Sequence, residues 1–285
     1  MVQTKKQNCD RSARVRTRRL SRAGTKLTQR FTGLLLVCIC LSQVDCLFRS
    51  GQRFHDFTTP LPVRGQQILV LGFLGGWEPW DNEKRWVRKL ALKLRAMAIP
   101  GVCVETVENH RRALALELIR RAFDRDGNGV LDAREKSDVR LILYGQSFGG
   151  AAVVKLAREL NRMDVPVLLT VQIDSIGRGD AVIPPNVARA ANLFQREGLF
   201  LRGQPEIRPE DPARTVILGN FRYDYRGKHV DLSELSWIKR KFQTAHDKMD
   251  FDPAVWMRVE RLILDTIIRA QGGAATESPD PAWQH

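Results

Sequence analysis

The sequence predicts an α/β protein of three layers, a mostly parallel sheet with helices on both faces. Three observations carry that expectation. Short, near-continuously apolar runs rich in Val, Ile and Leu recur along the chain, the composition of strands buried on both faces. Stretches with helical apolar spacing lie between them, as crossovers between parallel strands require. Finally, 285 residues with 43% hydrophobic and 27% charged content suffice for one large α/β domain with a sizeable core.

The elements follow in order. Residues 66–73 (QQILVLGF) read as a buried strand. Residues 81–97 put Trp86, Leu90 and Leu94 on one face of an amphipathic helix. Residues 101–107 (GVCVETV) are a second strand and 110–123 a helix. Residues 139–144 (VRLILY) are a third strand and 150–161 a helix. Residues 166–173 (PVLLTVQI) are a fourth strand, and 185–195 are expected to be helical. Residues 214–220 (RTVILGN) are a fifth strand, and 252–269 the last helix. No internal repeat interrupts this order.

The domain so outlined spans 49–270 and opens on an extended connector, 49–62. Residues 271–285, rich in Gly, Pro, Ala and polar groups, read as a frayed tail. Residues 1–48 are a basic leader with ten Lys or Arg against Asp10 and Asp45. Setting them aside takes 46 basic and 32 acidic residues to 36 and 30, so a net +14 falls to +6. Most of the excess charge therefore lies outside the domain. The domain has no basic stripe interleaved with aromatics, and no nucleic-acid partner is expected. The apolar stretch 31–41 has the length of a signal h-region and is short for a membrane span. It points to export (periplasmic, secreted or membrane-tethered). Arg18-Arg19 is a weak twin-arginine match, Cys46 follows a poor lipoprotein box, and no A-x-A cleavage site stands out. Read instead as a disordered extension, the leader would leave the protein cytoplasmic. Cys9, Cys38, Cys40 and Cys46 all lie in it, so Cys103 alone cannot build a disulfide framework in the domain and is expected to be a small buried hydrophobe.

The chemistry-bearing signal is Gly145-Gln146-Ser147-Phe148-Gly149, a G-x-S-x-G between a strand and a helix. That setting is what the motif requires: a sharp turn lifts the serine hydroxyl above the C-terminal edge of the sheet. Bulky side chains two residues either side would collide, so Gly145 and Gly149 fit sterically. The Phe148 N–H, opening the helix, can donate to an oxyanion. Alone, the five-residue pattern is weak, and an ordinary Gly-rich turn with a bystander serine is the plain alternative.

On these residues, the region 66–268 resembles the α/β-hydrolase superfamily, and within it the bacterial lipase- and esterase-like members. The resemblance covers roughly 70% of the chain and implies a nucleophile, then an acid after a late strand, then a His near the final helix. His246 occupies that last place and is the expected general base. His55 and His285 lie outside the expected core, His110 follows the second strand, and His229 sits in a polar loop. Asp174 is favoured as the acid because it follows an apolar strand directly. Asp224 and Asp231 in a looser loop, and Asp180, stay open as alternatives. The loop Gly72-Phe73-Leu74-Gly75-Gly76-Trp77 resembles the His-Gly-x loop of lipases, with Leu71 where a His is usual. Matched position by position, it makes the Phe73 N–H the second oxyanion donor, with Leu74 close behind.

A second motif is the most specific short signal in the chain. Residues 124–135 match the twelve-residue EF-hand calcium loop. Asp124, Asp126 and Asn128 supply oxygens, Gly129 turns, Val130 offers its carbonyl, Asp132 can hold a water, and Glu135 can chelate with both oxygens. Leu131 is the apolar anchor. EF-hands normally switch in pairs. A lone loop with at most a short exiting turn at 132–137 is expected to hold structural Ca2+ that pins the helix-to-strand crossover.

The leading functional expectation is a serine hydrolase acting on a small-molecule or lipid-like ester, with thioesterase, amidase and acyltransferase chemistry open. Trp77, Trp80, Trp86, Phe73 and Phe148 either line an apolar mouth or pack the first helix. Residues 175–213 could form a short cap. No G-x-G-x-x-G follows the first strand, which counts against a dinucleotide enzyme. The alternative is a non-catalytic calcium-binding scaffold on the same fold. A weaker third reading makes the leader an arm for nucleic acid or an anionic membrane.

Overall fold

In the strand Ile68–Leu74 (β1) every residue is buried, although the side chains alternate in direction. That pattern requires apolar cover on both faces, and the packing supplies it. Leu69, Leu71 and Phe73 enter one core cluster with Leu118, Ile119 and Phe123. Ile68, Val70 and Leu74 enter a second, with Leu90, Leu94, Trp256 and Ile263. One strand thus feeds two cores, and the fold has three layers.

The computed structural model describes residues 51–63, 65–197, 201–235, 237–241 and 244–272. The leader, with its apolar stretch and four cysteines, and the tail beyond 272 lie outside them. The central sheet adds Val102–Glu108 (β2), Leu141–Gln146 (β3), Val167–Ile173 (β4), Val187–Phe194 (β6) and Val216–Arg222 (β8), in the order β2-β1-β3-β4-β6-β8. Each pairing is parallel. Two short strands, Val182–Ile183 (β5) and Arg208–Pro209 (β7), pair separately. On the first face pack Arg112–Phe123 (α2) and Phe148–Asn161 (α4). On the second pack Trp86–Ala96 (α1) and Pro253–Ala270 (α7). Trp86 of α1 stacks on Trp256 of α7, ring centroids 6.2 Å apart, so this tryptophan belongs to packing and not to a mouth.

Three readings change in the fold. Residues 185–195 are not a helix but the inner strand β6. Between β4 and β8 its middle and end are buried: Ala190, Ala191, Asn192 and Leu193 are fully out of solvent. Tertiary burial overrides the helical preference of alanine. The first helix begins at Trp86, because 78–85 runs through successive turns closed by Asn82 N–H to Pro79 and Arg85 N–H to Asn82. Cys103 is half-buried, packed against the first core, and burial raises its thiol pKa.

Because the strands run in parallel, all their C-terminal ends open on one edge. β1 neighbours both β2 and β3, so the connections after β1 and β3 leave in opposite directions along the sheet. A crevice at that switch point is where open α/β sheets hold ligands.

Leu143 at the centre of β3 is fully buried in the first core. Leu143→Ala should lower unfolding stability by roughly 2–5 kcal/mol, read from urea denaturation; a loss under about 1 kcal/mol would contradict a packed centre there.

Candidate active site

At the switch point, β3 ends at Gln146 and α4 begins at Phe148, leaving one residue to make the turn. Ser147 makes it with φ 56° and ψ −123°, a conformation that costs about 1–3 kcal/mol for a residue with a Cβ. The glycines around it are needed for space. A Cβ on Gly149 would lie 2.1 Å from the Phe73 carbonyl oxygen, and one on Gly145 would lie 2.5 Å from the Gly149 backbone. The bend is tied down by Ser147 N–H to the Ile173 carbonyl (2.9 Å), and its own carbonyl accepts from Gly150 (3.1 Å) and Ile176 (3.2 Å).

His246 lies at the start of Ala245–Phe251 (α6), the helix that follows the short Trp237–Lys241 (α5). Thr244 caps that helix and Asp247 completes the capping box, which fixes where the imidazole starts from. His246 Nε2 is 3.1 Å from Ser147 Oγ, and Nδ1 is 2.6 Å from Asp174 Oδ2. Gln146 Nε2, an amide donor, is 3.3 Å from the same His246 Nε2. A carboxylate at Nδ1 and two donors at Nε2 select one neutral tautomer, with the proton on Nδ1 and a lone pair toward the serine.

Asp174 is fully buried and immediately follows β4, turned out at φ 44°. Besides His246 it accepts from the Gln195 N–H (3.1 Å) and the Gln195 side-chain amide (2.9 Å). Gly203 packs so closely that a Cβ there would sit 2.1 Å from Asp174 Oδ1. The segment 175–213, expected to cap the site, places Gly203 against the acid but also contains β6 of the central sheet between the short strands β5 and β7, so it is not a cap as a whole. The other acids have other partners. Asp224 is exposed and paired with Arg226. Asp231 is exposed and accepts from the Ser233 N–H. Asp180 takes the Ser175 hydroxyl at 2.5 Å.

Two opposed effects act on the His246 proton. Burial alone lowers its pKa, but the hydrogen bond and charge of Asp174, helped by Asp247 and Asp250, raise it above 6.5 overall. Asp250 is itself buried, which pushes its pKa up. Arg85 answers it at 2.7 Å and also holds Glu78 at 2.5 Å. Gln195, Gln146 and this Arg85–Asp250 pair carry no sequence motif. Gln195 is hidden further by reading 185–195 as a helix; in a strand it sits past β6, on the catalytic edge.

The backbone on the other side of Ser147 is not the one the motif match expects to donate to an oxyanion. Phe148 opens α4 and is half-exposed beside Ser147. Phe73 lies inside β1, level with Gly145 and two residues short of the serine. Continuing that register brings Gly75 opposite Ser147, and a Cβ on Gly75 would be 3.2 Å from Ser147 Cβ. The backbone beside the hydroxyl is therefore the turn after β1. Asn109 braces it, donating to the carbonyls of Leu74 (3.1 Å) and Gly76. Of the remaining aromatics, Trp77 is exposed against His110, with centroids 5.5 Å apart, and Trp80 stacks under Arg88.

The acidic loop lies between α2 and the six-residue helix Ala133–Asp138 (α3), as short an exit as the turn expected at 132–137. Carboxylate oxygens of Asp124, Asp126 and Glu135 lie within 4.8 Å of one another. Asp124 accepts from the N–H groups of Asn128 (3.1 Å) and Gly129 (2.7 Å), and Gly129 has φ 85°. Asn128 Oδ1 accepts from the Val130 N–H (2.8 Å). Asp132 lies outside the carboxylate trio and caps α3 through the Glu135 N–H (2.7 Å). Leu131 is buried in the first core, anchoring the loop. The convergent carboxylates and the turn at Gly129 fit a hard cation with oxygen ligands.

No family model matches the chain, and no curated protein matches it.

The arrangement makes the His246 pKa depend on Asp174. Asp174→Asn removes the strongest raising partner and leaves burial against the weaker charges of Asp247 and Asp250, so the imidazole pKa should fall in an NMR titration. Asp224→Asn should leave it unchanged, and the opposite ranking would refute the pairing.

Proposed function

We propose that the chain is a serine hydrolase of α/β-hydrolase type, cleaving a carboxylic ester through an acyl-enzyme. The observation that carries this reading is the unbroken chain from Ser147 Oγ to His246 Nε2 (3.1 Å) and from His246 Nδ1 to Asp174 (2.6 Å). The strand–serine–helix setting and the chain order Ser, Asp, His support the α/β-hydrolase assignment. In this mechanism Ser147 Oγ attacks the ester carbonyl carbon as His246 takes the hydroxyl proton. The N–H of Phe148 and one from the Gly75–Gly76 turn stabilise the oxyanion. Collapse expels the alcohol, which receives the proton from His246. Water then attacks the acyl-enzyme with the same base, releasing the acid and restoring Ser147. Asp174 keeps its negative charge throughout and stabilises the imidazolium.

The substrate is taken to be a small or lipid-like ester, with no nucleic acid involved. The leader supports export, with tethering to a membrane open. Calcium, if bound, is held by Asp124, Asp126, Asn128, Glu135 and the Val130 carbonyl, with Asp132 through water. The role assigned to it is structural. The loop joins the start of β3, whereas Ser147 stands at its far end, about 20 Å away at roughly 3.3 Å per residue. An ion there braces the crossover without touching the chemistry.

A fluorophosphonate probe should label the folded protein at Ser147, and Ser147→Ala should abolish labelling. Well-folded protein that takes no label would end the hydrolase reading. Attack needs neutral His246, so turnover should rise with pH through a midpoint above 6.5. Asp174→Asn should move that midpoint down and cut turnover by about 10⁴-fold.

Calcium should raise the melting temperature by roughly 2–4 °C for each kcal/mol of binding free energy. Asp124→Ala or Glu135→Ala should remove the shift. An unchanged midpoint, with no binding heat in calorimetry, would remove calcium from the account.

A further inference from the structure

Beside the nucleophile, the outer face of α4 and the loops after β2 and β4 enclose a cavity of about 540 Å³. Its walls are continuous with the site described above. Phe148, the residue after the serine, lines it. So does Ile176, whose N–H is bonded to the Ser147 carbonyl at 3.2 Å. So does Asn109, which braces the turn after β1. Ser147, His246 and Asp174 are not among its walls, so a group seated here would reach the serine past Phe148 and Ile176.

The cavity's charge is one-sided. Arg112 from the start of α2, Lys155 from the middle of α4 and Arg178 from the loop after Asp174 all line it. These are three separate chain segments bringing cations to one concave surface. Only Arg112 has an acidic partner, Glu159 at 3.3 Å. Neither Lys155 nor Arg178 forms an ion pair with any described residue. His110 on the rim faces Glu108 at 3.3 Å. Convergent like charges repel one another, and a bound anion relieves that repulsion. Such a cluster in a cleft also draws anionic ligands from solution.

Building on the hydrolase reading, we infer that the substrate is an ester carrying an anionic group, a carboxylate or a phosphate, which seats against Lys155 and Arg178 in the cavity that Phe148 separates from Ser147. Phe148 stands between the serine and the cavity, and the cations would hold the substrate's charged end. Charge-assisted contacts of this kind are the strong ones, and here they select among esters rather than drive the bond cleavage.

The test compares matched esters on the full chain. On the acyl side the pair is 4-nitrophenyl hemiglutarate against 4-nitrophenyl valerate. On the alcohol side it is 1-butyryl-glycerol-3-phosphate against monobutyrin. In at least one pair the anionic member should have a kcat/KM about tenfold or more higher. Which pair responds tells a carboxylate from a phosphate. Added salt should shrink the preference. Lys155→Met and Arg178→Met, checked by melting temperature, should each bring the anionic-to-neutral ratio toward one. Lys155→Glu should push it lower still. Equal turnover of both members in both pairs, or a ratio unmoved by these substitutions, overturns the inference and leaves the hydrolase standing. Absence of all ester turnover together with absence of fluorophosphonate labelling overturns both.

Discussion

The left-handed backbone at Ser147 is the constraint on which the candidate site depends. It lets a strand become a helix in one residue and leaves the hydroxyl at the edge of the sheet. The conformation is unfavourable for any side chain and holds only because its neighbours give way. Gly145, Gly149 and Gly75 omit the Cβ atoms that would strike backbone or the serine itself. Backbone bonds to β4 and to the loop beyond it then lock the bend. The parallel sheet does the rest. Strands that share a direction share an edge, so the residues after β1, β3, β4 and β6 meet there without long connections.

What meets at that edge is an electrostatic arrangement that only burial makes effective. A charged Asp174 out of water is costly unless its oxygens are satisfied. Gln195 supplies two donors and His246 a third. With both oxygens held, the carboxylate cannot rotate away from the imidazole. Its raised basicity follows from charge outweighing desolvation. The Arg85–Asp250 pair lies in the same field, with Glu78 sharing the guanidinium, so α6 is fastened to the chain that precedes α1.

The two charged features outside this core stand at opposite ends of β3. The acidic loop precedes the strand and is anchored through Leu131. The cationic cavity follows it and shares Phe148 with the bend. An acidic trio near the start of a strand and a basic hollow beyond its end suit different partners, a metal ion and an anion. In the reading proposed above, this separation would let the first brace the fold while the second selects what reaches the serine.

Much of this was legible in the chain itself. Apolar runs of strand length marked β1 to β4, because strands covered on both faces are mostly apolar, with only a few buried polar residues such as Glu105 and Gln172 among them. The turn at Ser147 and the loop at 124–135 were legible because each geometry restricts residue type at fixed spacing, chiefly glycine and short oxygen-bearing side chains. Asp174 and His246 were legible as candidates from their places after a strand and before the last helix. Tertiary structure decided the rest. Whether 187–194 is strand or helix depended on its lying between β4 and β8, which alanine-rich sequence does not encode. The partners of Asp174, already favoured over Asp224 from its place after an apolar strand, came from contacts between residues up to 72 positions apart. The residue level with Ser147 was set by the register of β1 on β3, a relation between strands. Spacing along a chain records only what neighbouring residues demand of each other, and distance across a sheet is settled by packing.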